Sequence, residues 1–481
     1  MVSPEIVRTV CTSWLESRQP VYTVLDPHFG AGETFHALLS LLQRTPSRPF
    51  ARLRYQAATE FNNPALPTGL LNGVLAPGLH FMQMPELNVE LHLWVGNTKA
   101  ALQEFQGCFD AVLEPDAHRQ YGRRMARQPL AMNQPESVAV VGAGIAGSSV
   151  ALALCQRGVQ VHLYDQAGGP ATGASGNWVG AFHPHITRGD SPLSRLSRLG
   201  FEHTVQALNT LTEQGFLQKD EDWATPGHLQ TVPVDEAERT RETLAQLAFP
   251  ESLVRWAEPD SLLPTPLSGL FFPQGGWVKP ARWVEANLQA CGTLLITHYN
   301  SAVHDLSALR EQHDAVVVCC AEQSIVLAPI EGAKVGVVKG QISKLQATVQ
   351  PNVVLSGESY AIAPPRENWV VLGATYERPV LDLNPTAEAD ETNMARFRAA
   401  FPDWPLGELL ENRCAVRAVW HDRLPAMGPV PDMPGVYMST GFASRGLLWA
   451  ALGGWLVADH CLGQPFESKL LGKITPRGAR T

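Results

Sequence analysis

The hydrophobic pattern of this chain changes period along its length, and each change places an element. Four β-forming residues, Val138 to Val141, run straight into glycines at 142, 144 and 147. A small-residue stretch, Ser148 to Cys155, continues as a helix, and a second apolar run, Val159 to Tyr164, ends in Asp165. Strand, glycine turn, helix, strand and terminal carboxylate predict a dinucleotide-binding βαβ unit. In such a unit Gly142 makes the tight turn and Gly144 lets a pyrophosphate approach the backbone. Gly147 lets helix and strand pack closely, and Asp165 accepts from a ribose hydroxyl. NAD and FAD both satisfy this pattern.

Upstream, Val21 to Leu25 reads as a strand, Gly30 and Gly32 as a turn, and Thr34 to Leu42 as a helix; Val89 to Val95 and Ala111 to Leu113 read as further strands. The polar, proline-bearing stretch Ala126 to Ser137 has no period, which predicts a linker over 126–137 after a partial domain over 1–125. Beyond it two textures alternate over 138–470. The pieces 138–215, 290–330 and 412–470 read as α/β, whereas 216–289 and 331–411 are richer in strands, prolines and tryptophans. This predicts a Rossmann-type domain assembled from separated pieces, with a sheet-based substrate domain inserted between them and a basic tail over 471–481.

Composition narrows the classes. A chain of 481 residues can bury a large core without disulfides, and its eight cysteines show no CxxC and no metal-ligand spacing, so no metal site is expected. No uncharged apolar run has transmembrane length and no signal peptide is evident, so a cytoplasmic location is expected. A net charge of −9 argues against nucleic-acid binding through bulk electrostatics. Residues 1–134 are charge-balanced, and Arg119, Arg123, Arg124 and Arg127 cluster just before the glycine motif, a local patch that could meet phosphate. A second basic group, Lys469, Lys473, Arg477 and Arg480, lies in the tail.

Three further motifs carry chemistry. Gly173 to Gly180 (GASGNWVG) is a small-residue loop in which Ala174 leaves room for a cofactor, while Ser175 and Asn177 can donate to phosphate or ribityl oxygens. Gly441 to Leu447 (GFASRGL) joins an apolar strand to an apolar helix, putting Gly441, Ser444, Gly446 and Leu447 at a helix N-terminus with partial positive charge. Within Arg413 to Asp432, Arg417 follows an alternating strand; a buried arginine is costly unless an anion meets it, so Arg417 is a candidate clamp for a substrate carboxylate, with Arg445 as a second. Trp277, in GLFFPQGGWVKP (Gly269 to Pro280), reads as a pocket wall, and His183 and His185 as pocket or core residues.

These motifs, in this order over 135–470, resemble the D-amino-acid oxidase family, which includes glycine and sarcosine oxidases. GASGNWVGAFHP, FFPQGGWVKP, KGQIS, RCAVRAVWHDRLPAMGPVPD and GFASRGL are similar to the oxidase half of a bifunctional wobble-uridine tRNA-modifying family. The resemblance implies FAD as cofactor and an antiparallel-sheet substrate domain. It also implies oxidative removal of the carboxymethyl group of 5-carboxymethylaminomethyluridine in the tRNA anticodon loop, with release of glyoxylate. Trp178, Trp277 and Tyr376 are candidates to stack on the base. DPHFGAGETF (Asp26 to Phe35) and Pro77 to Leu102 resemble that family's methyltransferase half, with departures: His28 replaces a loop glycine, Asn97 replaces a strand-end acid, and the strands after Leu113 to His118 are missing. S-adenosylmethionine is therefore not expected to bind, and a docking role is expected for this segment. In the oxidase half, Ala321 stands where glycine is common and Lys339 where arginine is usual. A small-molecule amine oxidase of the same fold, a bifunctional enzyme that keeps methylation, and a non-catalytic tRNA-binding scaffold are the alternatives.

Overall fold

The computed structural model describes residues 4–17, 19–45, 51–60, 76–106, 109–113, 135–262, 265–348 and 351–479. The arginine cluster at 119–127, Glu114 to His118, most of the expected linker and Arg480 lie outside them. The chain divides into two compact units, residues 1–132 with 464–472, and residues 133–463 with 473–481.

The first unit is a five-stranded sheet in the order Gly78–Met84, Val89–Val95, Arg52–Thr59, Val21–Asp26, Ala111–Val112, parallel except for the first pair. The edge strand is two residues long, pairing only Val24 with Ala111 and Leu25 with Val112. Residues 464–472 correct the expected domain boundary, because they join this unit rather than the downstream domain or a solvated tail. Phe466 stacks on His92 with centroids 4.1 Å apart. Ser468 bridges Phe105, and the Ser468 hydroxyl and the Leu470 N–H both donate to Glu104 Oε1, at 2.5 and 2.7 Å. A buried aromatic and a satisfied carboxylate thus tie the chain's two ends together, a contact across more than 350 positions that no local pattern announces.

The second unit is built on a six-stranded sheet in the order Leu295–His298, Gln160–Tyr164, Ser137–Val141, Ala315–Val318, Val436–Thr440, Ala426–Pro429, parallel but for the last pair. The central strands are apolar on both faces, as a covered parallel sheet requires. Helices Ile145–Cys155 and Gly446–Cys461 pack on it; a Cβ at Gly454 would run into the Ser149 carbonyl, so glycine sets their close approach. Asp459 accepts from Arg157 at 2.8 Å across the same contact.

The inserted domain is an eight-stranded sheet, Arg255–Ala257, Gly269–Phe272, His228–Thr231, Val354–Ser356, Tyr360–Ile362, Trp369–Gly373, Val335–Gln346, Leu409–Trp420. It is antiparallel apart from one parallel pair, His228–Thr231 with Val354–Ser356. The strand Leu409–Trp420, expected in the nucleotide domain, is its edge, bonded along Val335–Gln346 with Arg417 opposite Val338. The alternating pattern of that strand belongs to a half-covered antiparallel sheet, which places Arg413 and Arg417 on one face.

Candidate active site

The helix Ile145–Cys155 starts at Gly144, and the turn before it needs glycine for stated reasons. Gly142 has φ 107°, and a Cβ there would lie 2.6 Å from the Cys319 carbonyl. A Cβ at Gly147 would collide with the Gly142 carbonyl. Beside the turn Ser175 Oγ accepts from the Ile145 N–H at 2.9 Å, leaving the hydroxyl hydrogen for an incoming oxygen. Asp165 is fixed by two amides, Ala143 N–H on Oδ2 at 2.7 Å and Ala167 N–H on Oδ1 at 2.8 Å. These groups wall a cavity of about 540 Å³, within the range of built ligand sites.

Gly142, Gly144, Asp165, Ala174, Ser175, Gly441, Gly446 and Arg417 line that cavity. The other expected site residues sit differently. Gly147 serves packing. Leu447 packs its side chain on Gly180 and accepts from the Thr204 hydroxyl at 2.7 Å. Ser444 is exposed. Asn177 lies beside the lining, and its buried Oδ1 has no hydrogen-bond partner among the described residues. A cradle that any Cβ would fill, an anchored ribose-site carboxylate and an orphaned acceptor next to the glycine loop fit an extended dinucleotide. Ala321 also lines the cavity and has φ 50°, which explains why glycine is favoured there. Lys339 turns elsewhere, donating to the Asn384 carbonyl at 2.9 Å and pairing with Glu377 and Asp382.

Sequence reasoning missed Arg413. Its Nη2 donates to the carbonyls of Thr172 and Gly173, at 2.9 and 2.7 Å, and so holds the glycine loop against the sheet. Its spacing from Arg417 was the available signal, since residues four apart on a strand share a face.

Two further guanidinium groups are the candidates to meet an anion. Arg417 reaches over Gly340, where a Cβ would come within 2.5 Å of Nη2, and pairs with no carboxylate among the described residues. Tyr360 is partly buried near it; desolvation pushes the phenol up to about 12, against the opposing pull of Arg417. Arg445, at the N-terminus of the helix Gly446–Cys461, also lacks a carboxylate partner among the described residues. Burial, then the like charge of Arg423, pulls it below its ordinary value. His183 and His185 are each held at about 4 by burial, with Arg445 contributing, and are neutral at physiological pH. Of the two guanidinium groups, Arg417 lines the cavity, whereas Arg445 acts on the two neutral imidazoles. Of the aromatic candidates, Trp277 is core and Trp178 carries Lys344 against its ring at 5.0 Å, whereas Tyr376 is 59% exposed.

The loop after Asp26 in the first unit is built differently. Asp26 is buried; its carboxylate accepts from Tyr55 Oη at 2.6 Å and from His28 N–H at 3.1 Å. Phe29, Phe35 and Tyr55 pack together at its inner face, with Phe35 and Tyr55 centroids 4.9 Å apart. Asn97 caps the helix Thr98–Glu104 by accepting from Ala100 N–H. The carboxylate, the amide and the loop interior are thus engaged by hydrogen bonds and packing within the fold.

The model of the DAO family, FAD dependent oxidoreductase, matches residues 137–460. The tRNA 5-methylaminomethyl-2-thiouridine biosynthesis bifunctional protein MnmC of Thiobacillus denitrificans is 34% identical over 80% of this chain and 68% of its own length. The protein of that name from Marinobacter nauticus is 32% identical over 69% of this chain, which spans only 56% of that relative. Among solved structures, glycine oxidase from Bacillus cereus superposes with a TM-score of 0.63 at 20% identity, covering 72% of this chain and 100% of that one. Iminodiacetate oxidase from Chelativorans sp. gives 0.59 at 21% identity, over 72% of this chain and 100% of its own.

Proposed function

Because the chain belongs to the DAO family of FAD dependent oxidoreductases and to the tRNA 5-methylaminomethyl-2-thiouridine biosynthesis family, we propose that it oxidatively removes the carboxymethyl group of 5-carboxymethylaminomethyl(-2-thio)uridine at the wobble position of tRNA in the cytoplasm. The products are glyoxylate and the aminomethyl nucleoside. FAD, when bound, supplies the two-electron acceptor. Gly142, Gly144, Ser175 and the Asp165 carboxylate would hold its adenosine diphosphate part, with Gly441 and Gly446 at its other end.

The observation that carries the reading is Arg417, a guanidinium at the cavity wall with no carboxylate partner among the described residues. Its planar fork matches a glycyl carboxylate and fixes the adjacent methylene. No protein base is needed when the amine binds unprotonated, and water completes the release of glyoxylate by hydrolysing the C–N bond. Arg417→Ala is expected to lower turnover about 100-fold or more while the protein keeps its yellow absorbance. Near-native turnover would remove the carboxylate assignment. Mass analysis of tRNA nucleosides from a deletion strain tests the substrate: accumulation of carboxymethylaminomethyluridine supports it, and an unchanged profile points to a small amine. For the first unit we propose that methyl transfer is lost, on the strength of the occupied Asp26 loop.

A further inference from the structure

Thr375 to Arg378 runs beside the strand Val335–Gln346. Thr375 N–H donates to the Gln341 carbonyl at 3.2 Å, and Glu377 exchanges backbone hydrogen bonds with Lys339 at 3.0 and 3.2 Å. This pairing turns Thr375 and Glu377 to the Lys339 side, as the ion pair between Glu377 and Lys339 confirms. Alternation then sends Tyr376 and Arg378 to the opposite face. That face holds Gly336, Val338 and Gly340, and Arg417, the cross-strand partner of Val338, lies on it too. The two glycines leave room for the two guanidinium groups: Arg378 Nη2 lies 3.3 Å from the Cβ position of Gly336, and Arg417 covers Gly340. Four strand residues separate these positions, about 13 Å.

Tyr376 is 59% exposed, and the Arg378 guanidinium sits 5.3 Å from its ring centroid. Arg378 meets no carboxylate among the described residues. An exposed ring with a cation against it and a backbone pinned on its neighbours is poised to stack a flat, electron-rich partner. Resting on the tRNA reading above, we propose that Tyr376 and Arg378 form a stacking platform for an unpaired base flanking the modified uridine. Arg417 grips the glycyl carboxylate beside Gly340, and the platform, with Arg378 reaching toward Gly336, takes the next base on the same face. Single-stranded loops are read in this way, by aromatic and guanidinium planes.

The test uses the full-length, FAD-loaded protein. Tyr376→Ala is expected to weaken binding of a synthetic anticodon stem–loop, read by fluorescence anisotropy, and to raise KM for tRNA, each about tenfold, with kcat for tRNA kept. Turnover of the free carboxymethylaminomethyluridine nucleoside, which lacks a flanking base, changes by less than about twofold. Tyr376→Trp restores the affinity and Arg378→Ala lowers it. Native stem–loop affinity in Tyr376→Ala, or an equal loss on the free nucleoside, overturns the platform while leaving the tRNA reading intact. A native protein that oxidises the nucleoside but neither binds the stem–loop nor acts on tRNA overturns both.

Discussion

The chain contains two strand–turn–helix loops, one after Ser137–Val141 and one after Val21–Asp26, and they are built differently. At Gly142 the loop is kept open: a Cβ at Gly142 or Gly147 would strike backbone, one at Gly144 would crowd the Ser175 hydroxyl, and Asp165, after the next strand, is held by amides at the cavity wall. At Asp26 the loop is closed, with a tyrosine hydroxyl on the carboxylate and three aromatic rings filling the interior. The difference shows how one kind of loop can either face a cavity or have aromatic side chains packed against it. The same supersecondary unit becomes ordinary core once its neighbours grow side chains.

The largest test of this contrast is Gly142→Ala. A Cβ 2.6 Å from a carbonyl in a left-handed residue should abolish FAD binding, seen as loss of yellow absorbance, whereas Gly30→Ala in the other loop leaves the absorbance unchanged. Titration with S-adenosylmethionine sharpens the same point, and micromolar binding would break the comparison. Next comes Glu90, fully buried in the first unit. Burial opposes its charge, yet Arg52 and Arg54 hold its carboxyl well below the usual range. Glu90→Gln should destabilise that unit by about 3–5 kcal/mol, measured by denaturant unfolding, with flavin affinity retained. Arg413→Ala, which removes two hydrogen bonds to the glycine loop, should weaken FAD about tenfold or more, measured as a dissociation constant.

The smallest effect is on pH dependence. The unfolded chain protonates His183 and His185 near 6.5, but the folded protein does so only at about 4. Protons therefore favour the unfolded state in that window, and stability that is complete above about pH 6.5 is lost as pH falls toward 4. Thermal melts of His183→Asn should show a flatter acid limb; an unchanged limb would place the proton uptake elsewhere.

How much was legible follows from the range of the contacts. Gly142, Gly147 and Asp165 could be read because the turn, the helix and the strand-end acid are set by spacing within one βαβ unit. Ser175 could be read as a phosphate donor from its loop, but its bond to Ile145 N–H could not. Arg413 was quoted within its motif and given no role, because its partners, Thr172 and Gly173, lie about 240 residues away.

By itself the sequence determined the Rossmann-type unit and its glycine turn, and its motifs carried the resemblance that implied FAD, since local backbone geometry and side-chain chemistry dictate them. Tertiary structure alone decided that Phe466 and Ser468 return to the first unit, that Phe29, Phe35 and Tyr55 close its loop, and that Tyr376 shares a face with Arg417. Each of those depends on which distant residue fills a given space, and chain-distant packing leaves no periodic mark on the residues that make it.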